Sequence, residues 1–218
     1  MPWSGTPTRA DKWCWGLFLA MGLYGLAMLP LRPVILGLST YGLAYVTGDS
    51  LAMIDIGASM RDSNQPWWWL ALLVAAIQVA KFDLIFFWAG RLWGHRLIEM
   101  TTGRSARARR TVARGIRWAE KWSLPAVFVA WFLPGVPTQV IIVVAGAARE
   151  RWRWFLLADL LGALANRALF MYAGYRVGEP AKEFIDVIQR WSLWISIALL
   201  VLVVVVQFRR AKDSDRAG

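Results

Sequence analysis

Polar and charged positions in this chain gather between long apolar runs instead of alternating with them. The runs over 13–29, 66–90, 153–175 and 191–208 each predict a helix able to cross a lipid core, which needs roughly 20 residues. Two further stretches, 30–56 and 124–148, are as apolar but interrupted. Pro30, Pro33, Gly37, Gly42 and Gly48 punctuate the first, and Pro125, Pro134, Gly135 and Pro137 the second. Proline removes a helix hydrogen bond and clashes with the preceding turn, and backbone groups so freed are costly against lipid. Both stretches are therefore expected to be re-entrant hairpins broken at Pro30, Pro33, Pro134, Gly135 and Pro137. Two ordinary kinked helices are the plainer reading.

The pattern occurs twice. Phe86-Phe87-Trp88-Ala89-Gly90-Arg91-Leu92-Trp93-Gly94 returns as Phe170-Met171-Tyr172-Ala173-Gly174-Tyr175-Arg176-Val177-Gly178, an offset of 84 residues. Upstream, Leu29-Pro30-Leu31-Arg32-Pro33 has its counterpart in Leu133-Pro134-Gly135-Val136-Pro137. A broken apolar stretch followed by a span, once per half, is the arrangement of transporters built from structural repeats.

Loop charge sets the expected topology. Residues 95–122 hold eight Lys/Arg against Glu99 and Glu120, a net +6, and basic loops favour the cytoplasm. With that segment inside, the neutral 61–64 loop and the balanced 176–190 segment fall outside. The N-terminus, residues 149–153 and the basic tail then fall inside. The first hairpin would open outward and the second inward, which makes the repeats inverted. The prediction is one all-α polytopic membrane domain over 1–218, with about four full spans and two re-entrant hairpins. Its parts are a first repeat (30–94), a basic amphipathic cytoplasmic linker helix (95–122), a second repeat (123–178), a last span (190–208) and a cytoplasmic tail (209–218). The expected location is the plasma membrane, with both termini cytoplasmic and the 13–29 helix retained rather than cleaved.

Composition agrees: 58% of residues are hydrophobic and 15 are Trp. The net charge of +11 lies largely in the linker, so lipid headgroups are the expected partners rather than nucleic acid. Arg107, Arg110, Arg114, Arg117 and Lys121 follow helical spacing opposite Val112, Ile116 and Ala119, as on a helix lying on anionic lipid. Trp67-Trp68-Trp69, Trp152 and Trp154 read as interface belts. Cys14 is a single cysteine, so no internal disulfide forms. His95 offers neither a metal cluster nor a catalytic dyad, and no cofactor or metal is expected.

Ionisable groups inside spans are costly and usually face a cavity or a partner. Asp83 is the expected coupling-ion site. Arg32, Asn166, Arg167 and Gln139 are the expected headgroup contacts, with Lys81, Asp49 and Asp55 as secondary candidates. Asp83 and Arg167 are related by the repeat offset; a structural pair locking two helices is the plainer reading of them. Arg32 could equally snorkel to water, and Asp49 and Asp55 could be solvated hairpin ends.

The string Ala130-Trp131-Phe132-Leu133-Pro134-Gly135-Val136-Pro137, with Ala145-Gly146 and Gly174-Tyr175-Arg176-Val177-Gly178 after it, resembles the DedA family, also called the VTT or SNARE-associated domain. Lys81-Phe82-Asp83 and Trp88-Ala89-Gly90-Arg91-Leu92-Trp93-Gly94 are similar to that family's Gly-Asp and Tyr-x-x-Gly-Arg-x-x-Gly elements. The resemblance covers roughly residues 30–180 and carries over Asp83. It implies two re-entrant hairpins and movement of undecaprenyl phosphate, phosphatidylethanolamine or other phospholipids between leaflets. The chain departs from the family where two arginines of the second hairpin would stand, at Trp131 and Pro137. Arg32 stands near the expected acidic position of the first. The expected function is lipid flipping or scrambling with proton coupling, and not enzymatic. A small-solute or ion antiporter and a non-transporting scaffold are the alternatives, and self-association is open to any of them.

Overall fold

The computed structural model describes residues 6–61, 65–102, 122, 124–133, 138–191, 194 and 197. Among these, every regular element is helical: α1 (Arg9–Leu38), α2 (Thr40–Thr47), α3 (Ser50–Ser59), α4 (Trp68–Ala80), α5 (Asp83–Thr102), α6 (124–130), α7 (Thr138–Ala147), α8 (Trp152–Val177) and α9 (Glu179–Arg190). Three stretches are long and apolar enough to cross a membrane: Arg9–Leu38, Trp68–Gly94 and Trp152–Val177. Only 6% of the apolar window of α1 is buried, and its Leu17, Leu19, Leu23 and Leu29 are exposed. A helix this apolar and this uncovered is one that faces lipid. The chain is a multi-pass membrane protein.

The described breaks differ from those expected. Pro30 and Pro33 lie inside α1, which runs on to Leu38. Each removes one donor, so the carbonyls of Leu26 and Leu29 forgo their helical bonds without ending the helix. The chain turns instead at Ser39 and at Gly48-Asp49. Ser39 caps α2 by accepting from Gly42 N–H (3.0 Å). Gly48 ends α2 at φ 65°, a left-handed conformation that glycine adopts without steric cost. Asp49 then opens α3 by accepting from Leu51 N–H (2.8 Å). Pro134, Gly135 and Pro137, the basic residues Arg107, Arg110, Arg114, Arg117 and Lys121, and nearly all of the 190–208 span and the tail lie outside the described residues.

The chain divides into two compact units, residues 1–21 with 72–169 and residues 22–71 with 170–218. In the first, α5 lies along α7. Gly90 faces the backbone carbonyl of Val143, Gly146 faces that of Phe87, and Gly94 faces Ala147. A Cβ at either Gly90 or Gly146 would overlap the facing carbonyl. In lipid, apolar transfer gives helices no reason to associate, so close backbone approach at small residues supplies the packing energy. Around this seam sit Phe87, Val127, Ile142, Ala145 and Phe155, with the rings of Phe87 and Phe155 stacked at 4.2 Å. The start of α1 joins them: Thr8 and Asp11 form a capping box, and Trp93 Nε1 donates to Asp11 Oδ1 (2.7 Å).

The second unit repeats the device. Gly57 of α3 faces the carbonyl of Met171, and Gly174 of α8 faces the carbonyl of Ile54. Phe87 and Gly90 map onto Met171 and Gly174 by the offset of 84, while Ile54 and Gly57 map onto Val143 and Gly146 by 89. Two glycine-for-glycine seams thus correspond position by position, and they account for the repeated Ala-Gly phrase. α9 lies against α3, with Ile185 fully buried.

Candidate intramembrane polar site

The span Trp68–Gly94 is not one helix. α4 ends at Ala80, Lys81 and Phe82 form a turn, and Asp83 opens α5. Neither proline nor glycine marks this break. The restart uses a short bond from Ile85 N–H to the Phe82 carbonyl (2.9 Å). Lys81 Nζ donates to Gln78 Oε1 (2.8 Å) and stands over the Phe82 ring. Discontinuous helices at membrane depth are tolerated where protein or a wet cavity covers them.

Asp83 is buried, and its carboxyl lies within hydrogen-bonding reach of the carboxyl of Asp159 on α8. Asp159 is fully buried, and Trp131 Nε1 donates to its Oδ1 (3.1 Å). Among the described residues no N–H or O–H group supplies its Oδ2. Ionised carboxylates are acceptors only, so two of them hydrogen-bond each other only when one carries a proton.

The same face of α8 continues the network. Asp159, Gly162, Ala163 and Asn166 fall at i, i+3, i+4 and i+7, one stripe of a helix. Gly162 makes room for the Trp131 indole, whose Cδ1 would collide with a side chain there. Ala76, Ala80 and Ala163 complete the small-residue seat around that ring. α6 stops at Ala130, and the carbonyl of Trp131 lies just past its end. Asn166 Nδ2 donates to that carbonyl (2.7 Å), and Asn166 Oδ1 accepts from Arg167 Nη2 (2.9 Å). Asn166 and Arg167 are both buried. The result is a connected polar line, Asp83–Asp159–Trp131–Asn166–Arg167, inside the first unit.

Three of the expected residues, Asp83, Asn166 and Arg167, therefore meet in one network. Gln139 does not join it; it is exposed on α7. Arg32, Asp49 and Asp55 belong to the second unit. Arg32 is half exposed and pairs with Asp49 at 3.9 Å. Asp55 Oδ2 accepts from Thr40 Oγ1 (2.6 Å), tying α3 to α2. Asp49 is thus a helix cap before it is an ion site. Asp49→Ala is expected to lower stability by about 1 kcal/mol, while Asp49→Asn, an equally good cap, leaves it near wild type. Thermal unfolding in detergent micelles separates the two. Among the described residues no group of three or more His, Cys, Asp or Glu could hold a metal.

Asp159 and the hydrogen bond of Trp131 escaped the sequence reading. An aspartate inside the 153–175 run was a signal of the same kind as Asp83. The VTT domain family model matches residues 50–176. The chain belongs to the VTT domain family. An uncharacterized membrane protein of Haemophilus influenzae is 31% identical over 108 residues, 48% of this chain and 50% of that protein. Protein DedA of Escherichia coli K12 is 27% identical over 134 residues, 62% of this chain and 60% of its own. The chain thus spans about half to three-fifths of the length of these curated relatives, as a divergent member of the DedA group. No solved structure matches. Within this VTT domain, Trp131 stands where the family resemblance implies an arginine. A neutral indole N–H thereby meets the buried Asp159 carboxyl.

Proposed function

We propose that this chain is a lipid flippase or scramblase of the DedA type, moving a phosphate-bearing lipid between leaflets with a proton as the coupling ion. The observation that carries the proposal is the buried Asp83–Asp159 carboxyl pair at the break in a membrane span. That pair is a built proton site: one proton joins two carboxyls, and its loss sets two like charges against each other in an apolar surround. The repulsion would part α5 from α8 at this point, so proton occupancy and helix packing are linked. Arg167, held by Asn166, is the cation for the lipid phosphate, because a guanidinium offers several donors to phosphate oxygens.

The matched glycine seams support a repeat mechanism. Glycine-on-carbonyl contacts are rigid, and corresponding seams let each half keep its packing while the halves exchange roles. With the two hairpins entering from opposite sides, that exchange is alternating access. The breaks at Ser39 and Gly48 and the helix ends flanking 131–137 are the re-entrant turns in this reading. The substrate is undecaprenyl phosphate or a phospholipid.

The test is leaflet exchange in proteoliposomes holding labelled undecaprenyl phosphate or labelled phospholipids, run beside proton-flux assays with soluble solutes. Lipid exchange above empty-liposome rates is expected. Solute-driven proton flux with no lipid exchange would replace this reading with an antiporter, and neither signal would leave a scaffold.

A further inference from the structure

A second polar feature of the first unit plays no part in the carboxyl network. Where α7 ends and α8 begins, a cavity of about 740 Å3 is lined by Arg91, Arg149, Arg151 and Arg153 together with Glu150. Four guanidinium groups against one carboxylate leave a net +3 at its walls. They come from separate elements: Arg91 from α5, Arg149 and Arg151 from the connection, and Arg153 from the first turn of α8. Two are held by aromatic rings. Arg91 lies over Phe87 (5.8 Å) and Arg153 over Trp152 (5.5 Å).

Arg149 is the telling residue. It ends α7 in a Schellman turn, its N–H bonding the Gly146 carbonyl (3.0 Å) and Glu150 N–H bonding that of Ala145 (3.4 Å). That turn needs a left-handed residue, and glycine fills it freely, yet Arg149 occupies it at φ 57°. An arginine in a left-handed conformation that glycine adopts freely, at the rim of an arginine-lined cavity, points to a task for its side chain. Trp152 and Trp154 are half exposed and line the cavity beside it, the pattern of aromatic side chains that anchor at a membrane–water interface. The first turn of α8 closes on the Arg151 carbonyl, and the positive end of that helix dipole adds to the potential here.

We propose that this cavity binds a phosphomonoester or diphosphate group at the membrane surface. The charge of the walls matches a di- or trianion and disfavours a zwitterionic headgroup, and bidentate arginines suit phosphate oxygens. The site stands independently of transport through Asp83 and Asp159.

The test is calorimetric titration of the full chain in neutral detergent with short-chain phosphatidic acid and, separately, with pyrophosphate. Wild type is expected to bind at least one of them, with short-chain phosphatidylcholine inert. Binding of phosphatidic acid alone identifies a lipid source, and binding of pyrophosphate identifies a free anion or an exposed diphosphate. Arg149→Gly is expected to bind about tenfold or more weakly, the loss of one charge-assisted contact, while melting at the same or a higher temperature. Arg91→Gln provides a second variant with the same expected loss. Neither ligand binding, or both variants binding as wild type does, would overturn the proposal.

Discussion

Gly90→Ala is expected to destabilise the protein by about 3 kcal/mol, the upper end of overpacking costs, and to strip it of folded material in detergent. The added methyl would overlap the Val143 carbonyl, which is backbone in a helix and cannot step aside as a side chain can. α5 and α7 must then separate, and the dispersion contacts of the whole seam weaken together. Gly146→Ala, Gly57→Ala and Gly174→Ala carry the same expectation, because each meets a facing carbonyl. Gly22 and Gly25 of α1 are the controls: nothing lies within 4 Å of a Cβ at either. Alanine there should be neutral or stabilising by about 0.5–1 kcal/mol, the helix-propensity difference. Fluorescence-detected size exclusion across a temperature ramp measures all six. Equal behaviour of Gly90→Ala and Gly22→Ala would mean the seam is not what holds the first unit.

Asp83→Asn and Asp159→Asn should each abolish proton-coupled lipid exchange while leaving the fold intact. Asparagine keeps the shape, and its amide donates where the shared proton would. It fixes the pair in its proton-holding form, so the hydrogen bond survives and the switch does not. Alanine at either position acts differently, stranding a buried carboxyl at a cost of about 1–3 kcal/mol. A transport defect in Asp83→Asn with wild-type stability, beside a stability defect in Asp83→Ala, is the signature of a site rather than a strut. If Asn variants transport normally, the pair only locks α5 to α8.

What the sequence made legible follows from what apolar patterning encodes. Three spans and the repeated Ala-Gly phrase were readable, because length, hydropathy and glycine spacing are local signals. Asp83, Asn166 and Arg167 were readable as costly charges and amides inside spans. The helix ends were harder. Pro30 and Pro33 looked like breaks but sit within α1, since a helix can forgo single bonds when its other contacts persist. The break that matters at Lys81-Phe82 carries no proline or glycine, and only the tertiary seat of Asp83 reveals it. Asp159 was visible as a letter yet not as a partner, because its meaning depends on Trp131, which is 28 residues away in sequence. Trp131 itself appeared as a missing arginine; the structure shows its indole N–H donating to Asp159.

The most direct test of the central idea, a proton shared by Asp83 and Asp159 that moves with lipid, is a simultaneous measurement. Proteoliposomes would carry a lumenal pH dye and a quenchable labelled lipid, with wild type and Asp159→Asn compared under one imposed pH gradient. The account predicts lipid exchange and proton movement that rise together in wild type and vanish together in the variant. Lipid exchange that proceeds without proton movement, at the same rate in both proteins, would contradict it.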